Sequence, residues 1–119
     1  MTQSNATVTD LAEKGRVFEL AAELFGVLAT PMRLRILSAL CDKEKSVSQL
    51  LQEIDTTQPN LSQHLNLLYR AGLVRKRREG VQIFYATADE HIVQICQTMC
   101  DRVLARRPAR RMKDRPASS

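Results

Sequence analysis

Between Thr57 and Gly72 the chain sets amides, hydroxyls and a guanidinium at helical spacing. On a helical wheel Leu61, Leu65 and Leu68 fall within about 60° of one another. Pro59, Gln63, Asn66 and Arg70 lie nearly opposite, with Asn60 and Ser62 on the flanks. Gln and Asn can bond an adenine edge bidentately, and Ser can donate or accept. When a helix lies in a DNA groove, residues near its start meet bases. This assigns Gln58, Asn60, Ser62 and Gln63 to base reading, Asn66 to the same exposed face, and Arg70 to a phosphate. His64 stands about 60° from the core direction and admits two readings: a partly buried imidazole bonded to backbone, or a DNA contact.

A second group of residues supports that chemistry. Arg70, Arg75, Lys76, Arg77 and Arg78 fall in a nine-residue stretch that contains no acid. A dense basic island suits a polyanion, because each phosphate neutralised releases a counterion. A solvated charged turn would look the same by charge alone. Beside a groove-reading helix, Arg75, Arg77 and Arg78 would reach phosphates or the minor groove, with Gln82 next to them, positioning rather than specifying.

The thiols are the third candidate. Cys96 and Cys100 stand four residues apart and share one helix face, and Cys41 closes an earlier helix. Three thiolates could form a soft trigonal site for arsenite- or antimonite-like metalloids or a soft metal. Two could instead form a disulfide or polysulfide link that senses oxidants or sulfide. The geometry of a helical i, i+4 pair favours shared ligation, or pairing with Cys41 or across a dimer, over a direct Cys96–Cys100 disulfide. The competing reading is that all three are small buried hydrophobes, as free Cys commonly is.

These residues sit in a chain of 119 residues, 44% hydrophobic and 26% charged, which suits one globular domain. With no Trp and five other aromatic residues, its core must come from Leu, Ile, Val and Ala, a mix fitted to packed helices. Three Cys without framework spacing point to a reducing, cytoplasmic compartment. Met1 to Lys14 shows neither a basic nor an apolar leader region, and no apolar run approaches the roughly 20 residues of a membrane span. The net charge of +5 equals that of residues 105–119, which hold six bases and one acid.

Helical periodicity begins at Thr9, with Leu11, Phe18 and Phe25 recurring every seventh residue. Thr30 before Pro31 opens a second helix carrying Leu34, Ile36, Leu37, Leu40 and Cys41 on its apolar face. Ser46 and Gln49 form a capping box for a short third helix ending near Ile54. After a turn at residues 55–57, Thr57 caps the fourth helix, which stops at Gly72. Two short helices joined so tightly form a helix-turn-helix. Two β-prone runs around Glu79-Gly80 predict a hairpin, and Asp89 opens a last helix through Leu104. The expected fold is mainly α with a β-hairpin wing: a winged helix-turn-helix over 9–104, between a disordered segment 1–8 and a disordered basic tail 105–119.

The stretch Leu28-Ala29-Thr30-Pro31-Met32-Arg33-Leu34-Arg35-Ile36-Leu37 is similar to the second helix of ArsR/SmtB-type repressors. The block Gln58 to Leu65, then Leu68, Ala71 to Val74, Arg78, Gly80 and Phe84-Tyr85, resembles their recognition helix and wing. The resemblance covers residues 17–104. It implies a homodimer joined through the first and last helices, bound to an inverted-repeat operator and released by an effector. The family's metal sites map poorly. One needs cysteines where this chain has Lys45 to Gln49. The other begins well at Asp89 and His91, but its second half falls on Arg102 and Ala105, which cannot ligate zinc. Asp89 reads better as a helix cap, and His91 as a surface residue.

The expected function is a sequence-specific repressor acting on double-stranded DNA, with Cys41, Cys96 and Cys100 the candidate effector site. As(III), Sb(III) or reversible cysteine oxidation would be the ligand chemistry. A winged helix used for protein interaction, or a repressor with structural cysteines only, is the competing reading. No nucleophile triad or phosphate loop argues for an enzyme.

Overall fold

A computed structural model describes the backbone of residues 8–118 and the side chains of 14–106. Of segment 1–8, expected to be disordered, Val8 instead opens the first helix; residues 1–7, and the packing of Leu11, lie outside the described residues. Five helices and a small sheet follow in the order α1 (Val8–Leu28), α2 (Pro31–Leu40), β1 (Lys45–Ser46), α3 (Val47–Glu53), α4 (Gln58–Arg70), β2 (Val74–Glu79), β3 (Gln82–Thr87) and α5 (Glu90–Ser118).

The starts of α2, α3 and α4 are each held by the side chain that the sequence places there. Thr30 Oγ1 accepts from the Arg33 backbone at 3.1 Å, with Pro31 in the first turn of α2. Ser46 Oγ accepts from Gln49 N at 3.1 Å while Gln49 Oε1 accepts from Ser46 N at 2.8 Å, a complete capping box. Thr57 Oγ1 accepts from Asn60 N at 3.2 Å. These bonds satisfy backbone donors that a helix leaves free in its first turn.

The end of α4 is equally determined. Gly72 adopts φ of 80°, a left-handed conformation that only glycine reaches without strain. Leu73 N then donates to Leu68 O at 2.9 Å and Gly72 N to Tyr69 O at 3.0 Å, while Leu73 and Leu68 are both buried. This is a Schellman stop, and it turns the chain directly into the wing.

The core joins α2, α3, α4 and the sheet. Ile36, Leu37 and Leu40 pack with Leu50, Ile54, Leu61, Leu65, Leu68, Leu73, Val74 and Tyr85, closed at the edge by Leu28. The three leucines expected on the inner face of α4 are fully buried.

The sheet runs β1-β3-β2, all antiparallel. Its β2–β3 register pairs Val74 with Thr87 and Glu79 with Gln82, leaving the two-residue turn Gly80-Val81. Gly80, at φ of 66°, supplies the positive dihedral such a turn needs. Strand β1 was not expected: two residues are too few to show a period, and only the pairing of Lys45 with Tyr85 and Ser46 with Phe84 creates it.

Two further differences stand out. Cys41 caps the end of α2 and is exposed, so it leaves the apolar face it was expected to join. Helix α5 continues to Ser118 rather than ending at Leu104 in a disordered tail. Between Pro108 and Pro116 stand Ala, Arg, Met and Lys, all strong helix formers, and their propensity offsets the two prolines.

Candidate nucleic-acid interface

The exposed side of α4 carries Gln58, Asn60, Ser62, Gln63, Asn66 and Arg70, all solvent-accessible, over the buried Leu61, Leu65 and Leu68. Asn60 is partly engaged already, since its Nδ2 donates to Thr56 Oγ1 at 2.9 Å. The helix is held on both flanks. On one, Lys76 Nζ of β2 lies 4.4 Å from the centre of the Tyr69 ring. On the other, Arg33 Nε of α2 donates to His64 Nδ1 at 3.1 Å.

His64 is half-buried, and its partner is the Arg33 side chain, not the backbone that one sequence reading supposed. Burial, then the Arg33 charge, pushes its pKa below the usual imidazole value. The Nδ1 acceptor role requires the neutral ring.

In the wing, pleating divides the basic run that the sequence presents as one block. Side chains alternate across a strand. Lys76 and Arg78 therefore share a face with Val74, toward α4, while Arg75 and Arg77 take the other. Arg77 Nε donates to both carboxylate oxygens of Glu44 at 2.8 and 2.9 Å, Nη1 reaches Glu79 at 3.0 Å, and the guanidinium lies 4.7 Å from the centre of Phe84. That hydrogen bond is the main reason the Glu44 carboxyl is held below its ordinary pKa. Arg75 Nη1 donates to Thr87 O at 2.8 Å. Arg78 Nε makes a longer bond of 3.3 Å to Gly80 O, and Gln82 is exposed beside the turn.

Arg75, Arg77 and Arg78 thus do not form the single set that the sequence suggests. Arg77 is committed to two carboxylates, one of which, Glu44, is remote in sequence. Lys76, part of the basic island in the sequence, takes the face toward α4 together with Arg78 by strict alternation along β2.

A profile of bacterial regulatory proteins of the arsR family matches residues 30–76, from the cap of α2 into the wing. HTH-type transcriptional regulator Rv0081 of Mycobacterium tuberculosis is 39% identical over 95 residues, 79% of this chain and 82% of that protein. The chain belongs to the ArsR/SmtB family of transcriptional regulators. The Rv0081 crystal structure superposes on 76% of this chain and 95% of its own with a TM-score of 0.66. KmtR of the same organism is 42% identical over 76 residues, a stretch that spans 58% of KmtR's length. Mb0332 of Mycobacterium bovis, described as a homodimeric winged helix-turn-helix DNA-binding domain, is 27% identical with a TM-score of 0.67 over 81% of this chain. An ArsR/SmtB chain is a transcription regulator, which sets the enzyme reading aside.

Within this ArsR/SmtB fold, the last-helix metal set does not fit. Asp89 Oδ1 accepts from the backbone of His91 at 3.0 Å and Ile92 at 3.3 Å, so it caps α5. The His91 side chain is 94% exposed. Among the described residues no three His, Cys, Asp or Glu side chains cluster to hold a metal ion.

That finding also corrects the three-thiolate site within one chain. Cys41 opens on a groove between the end of α2 and the sheet, beside Glu44, Arg75 and Thr87. Cys100 opens on a different one, formed with Leu34, Ser38 and Ile54. Cys96 is half-buried against the core, and burial, then the neighbouring Cys100, pushes its thiol pKa up.

Proposed function

We propose that the chain is a homodimeric repressor that binds an inverted-repeat operator, with α4 in the major groove and the β2–β3 wing on the adjacent backbone. The observation that carries this reading is the exposed amide face of α4, fixed over three fully buried leucines and flanked by Lys76, Arg78 and Gln82. Gln58, Asn60, Ser62, Gln63 and Asn66 read bases, and Arg70, Arg75, Lys76 and Arg78 meet phosphates. His64 supports the helix rather than the groove. Such a protein works in the cytoplasm.

The second copy is argued from exposed apolar side chains. Val17, Phe18 and Phe25 on α1 and Ile95, Met99 and Val103 on α5 stand well out of the core, Phe18 at 73% exposure. A small domain seldom leaves so many large apolar groups in water. A twofold dimer through these helices sets half-sites about 34 Å apart.

The effector reading narrows to Cys96 and Cys100, with release from DNA on thiol modification or soft-metalloid binding. Cys100 is exposed and would react first, while Cys96 lies one turn away.

Selection from a random-sequence duplex pool, followed by binding at several salt concentrations, tests the repressor reading. An enriched palindrome with a strong salt slope is expected; no enrichment overturns it. Arsenite, antimonite and polysulfide are then added to the selected complex. Unchanged binding, matched by a Cys96→Ser/Cys100→Ser variant, overturns the effector.

A further inference from the structure

Arg33 lies on α2 between two helices with different tasks. Its Nη1 donates to the Val27 carbonyl at 2.8 Å and its Nε to His64 Nδ1 at 3.1 Å. Val27 is in the last turn of α1, where carbonyls lack helical partners and a cation is favoured. His64 belongs to α4. One planar guanidinium thus ties the end of the dimer helix to the flank of the reading helix. A lysine ammonium, a point charge on a flexible stem, does not offer that fork.

The bond also sets the chemistry of the ring. Nδ1 accepts from Arg33 only when unprotonated, so the proton of the neutral imidazole sits on Nε2. Arg33, from α2, is the charged group that faces His64, and among the described residues no carboxylate pairs with it. Protonation would remove the acceptor and set a second cation against the guanidinium.

We propose that Arg33 is a positioning residue for DNA binding that acts through His64: the Val27–Arg33–His64 tie holds α4 in its groove-reading orientation and requires a neutral imidazole. This rests on the proposed reading of α4 as the groove helix. The sign of the pH effect follows. Folded His64 has a depressed pKa, so the tie is intact above the ordinary imidazole value of about 6.5 and is lost as pH falls through the lower folded value. DNA affinity then weakens on acidification. A His64 that met a phosphate as a cation would give the opposite slope.

The test uses the full chain and a duplex it selects from a random pool at about pH 8, with anisotropy titrations down to about pH 5.5 at fixed ionic strength. Wild-type affinity should fall as the pH drops. His64→Asn, whose Oδ1 takes the place of Nδ1 and does not titrate, should bind well at both ends with a flatter profile. Arg33→Lys should lose about tenfold at the upper pH, the scale of a hydrogen bond to a charged group, and adding His64→Asn should cost little more. Should Arg33→Lys fold poorly, His64→Asn carries the test alone. Affinity that rises in acid, or a His64→Asn slope equal to wild type, overturns the tie while leaving the repressor reading intact. A wild-type chain that enriches no duplex overturns both.

Discussion

Arg77 on the wing and Glu44, just before β1, face each other across 33 residues of sequence, joined by two hydrogen bonds of 2.8 and 2.9 Å. The pair fixes the outer face of the hairpin to the end of the α2 connection. It makes Arg77 a brace for the wing, with Lys76 and Arg78 on the opposite face of β2.

Alanine at Arg78 and at Arg77 should therefore act differently. Arg78→Ala should lower the salt slope of duplex binding by about one unit, the amount lost with one phosphate contact. Arg77→Ala should leave the slope nearly unchanged and instead loosen the wing, seen as faster amide exchange across β2 and β3. Equal slope changes in the two variants would refute the division. The Glu44 carboxyl, held below its normal pKa by Arg77, keeps the brace charged above about pH 4.5 and releases it as pH falls further.

Gln63 tests the reading face itself. It is exposed, central on α4, and makes no side-chain hydrogen bond among the described residues. Gln63→Ala should reduce discrimination at one operator position by about 1–3 kcal/mol, the value of a bidentate amide–base pair. Repeating the duplex selection with the variant checks this. A loss shared evenly by all sequences would instead make Gln63 a backbone contact.

Local chemistry explains why these assignments could be made from sequence at all. Thr30, Ser46, Thr57 and Gly72 each start or stop a helix through bonds within a few residues, so four boundaries were legible. Leu61, Leu65 and Leu68 announced the inner face of α4 by spacing alone. What stayed hidden depends on contacts distant in the chain. Glu44 meets Arg77, and His64 meets Arg33 across 31 residues, which no window of periodicity registers. Strand β1 exists only because β3 lies beside it. The separation of Cys41 from Cys96 and Cys100 is likewise a matter of packing.

Leu65→Ala probes the support beneath the reading face. Its side chain is fully buried among α2, α3 and the sheet, and its removal leaves a cavity. A loss of about 2–5 kcal/mol is expected. Thr57→Ala removes only the cap bond to Asn60 and should cost about 1 kcal/mol. Chemical denaturation of the two variants at equal concentration gives the comparison. A cap loss as large as the core loss would show that the start of α4 carries more than its local bond.

The cysteines should separate by alkylation. Cys41 and Cys100 are exposed, whereas Cys96 is half-buried with its thiol pKa raised, so its reactive thiolate is scarce near neutrality. Mass spectrometry during iodoacetamide treatment at about pH 7.5 should show the first two modified well before Cys96. Raising the pH should narrow the gap. If Cys96 is modified first, its burial is transient, and the order of attack proposed for an effector must be reversed.

The proposed twofold assembly can be tested without touching the proposed DNA face. Phe18 on α1 and Met99 on α5 are exposed by 73% and 61% and lie far in sequence from α4 and the wing. Specific interfaces bury on the order of 1,200–2,000 Å² in total, and a carboxylate placed inside one is desolvated without a partner. Phe18→Glu or Met99→Glu should thus shift the protein to monomer in sedimentation while helix content stays near wild type. The monomer would engage one half-site at a time and lose the effective-concentration gain of a linked pair, so affinity for a palindromic duplex should fall by about 100-fold or more. Affinity for a single half-site should change little. A charged variant that remains dimeric would place the twofold contact elsewhere on the surface.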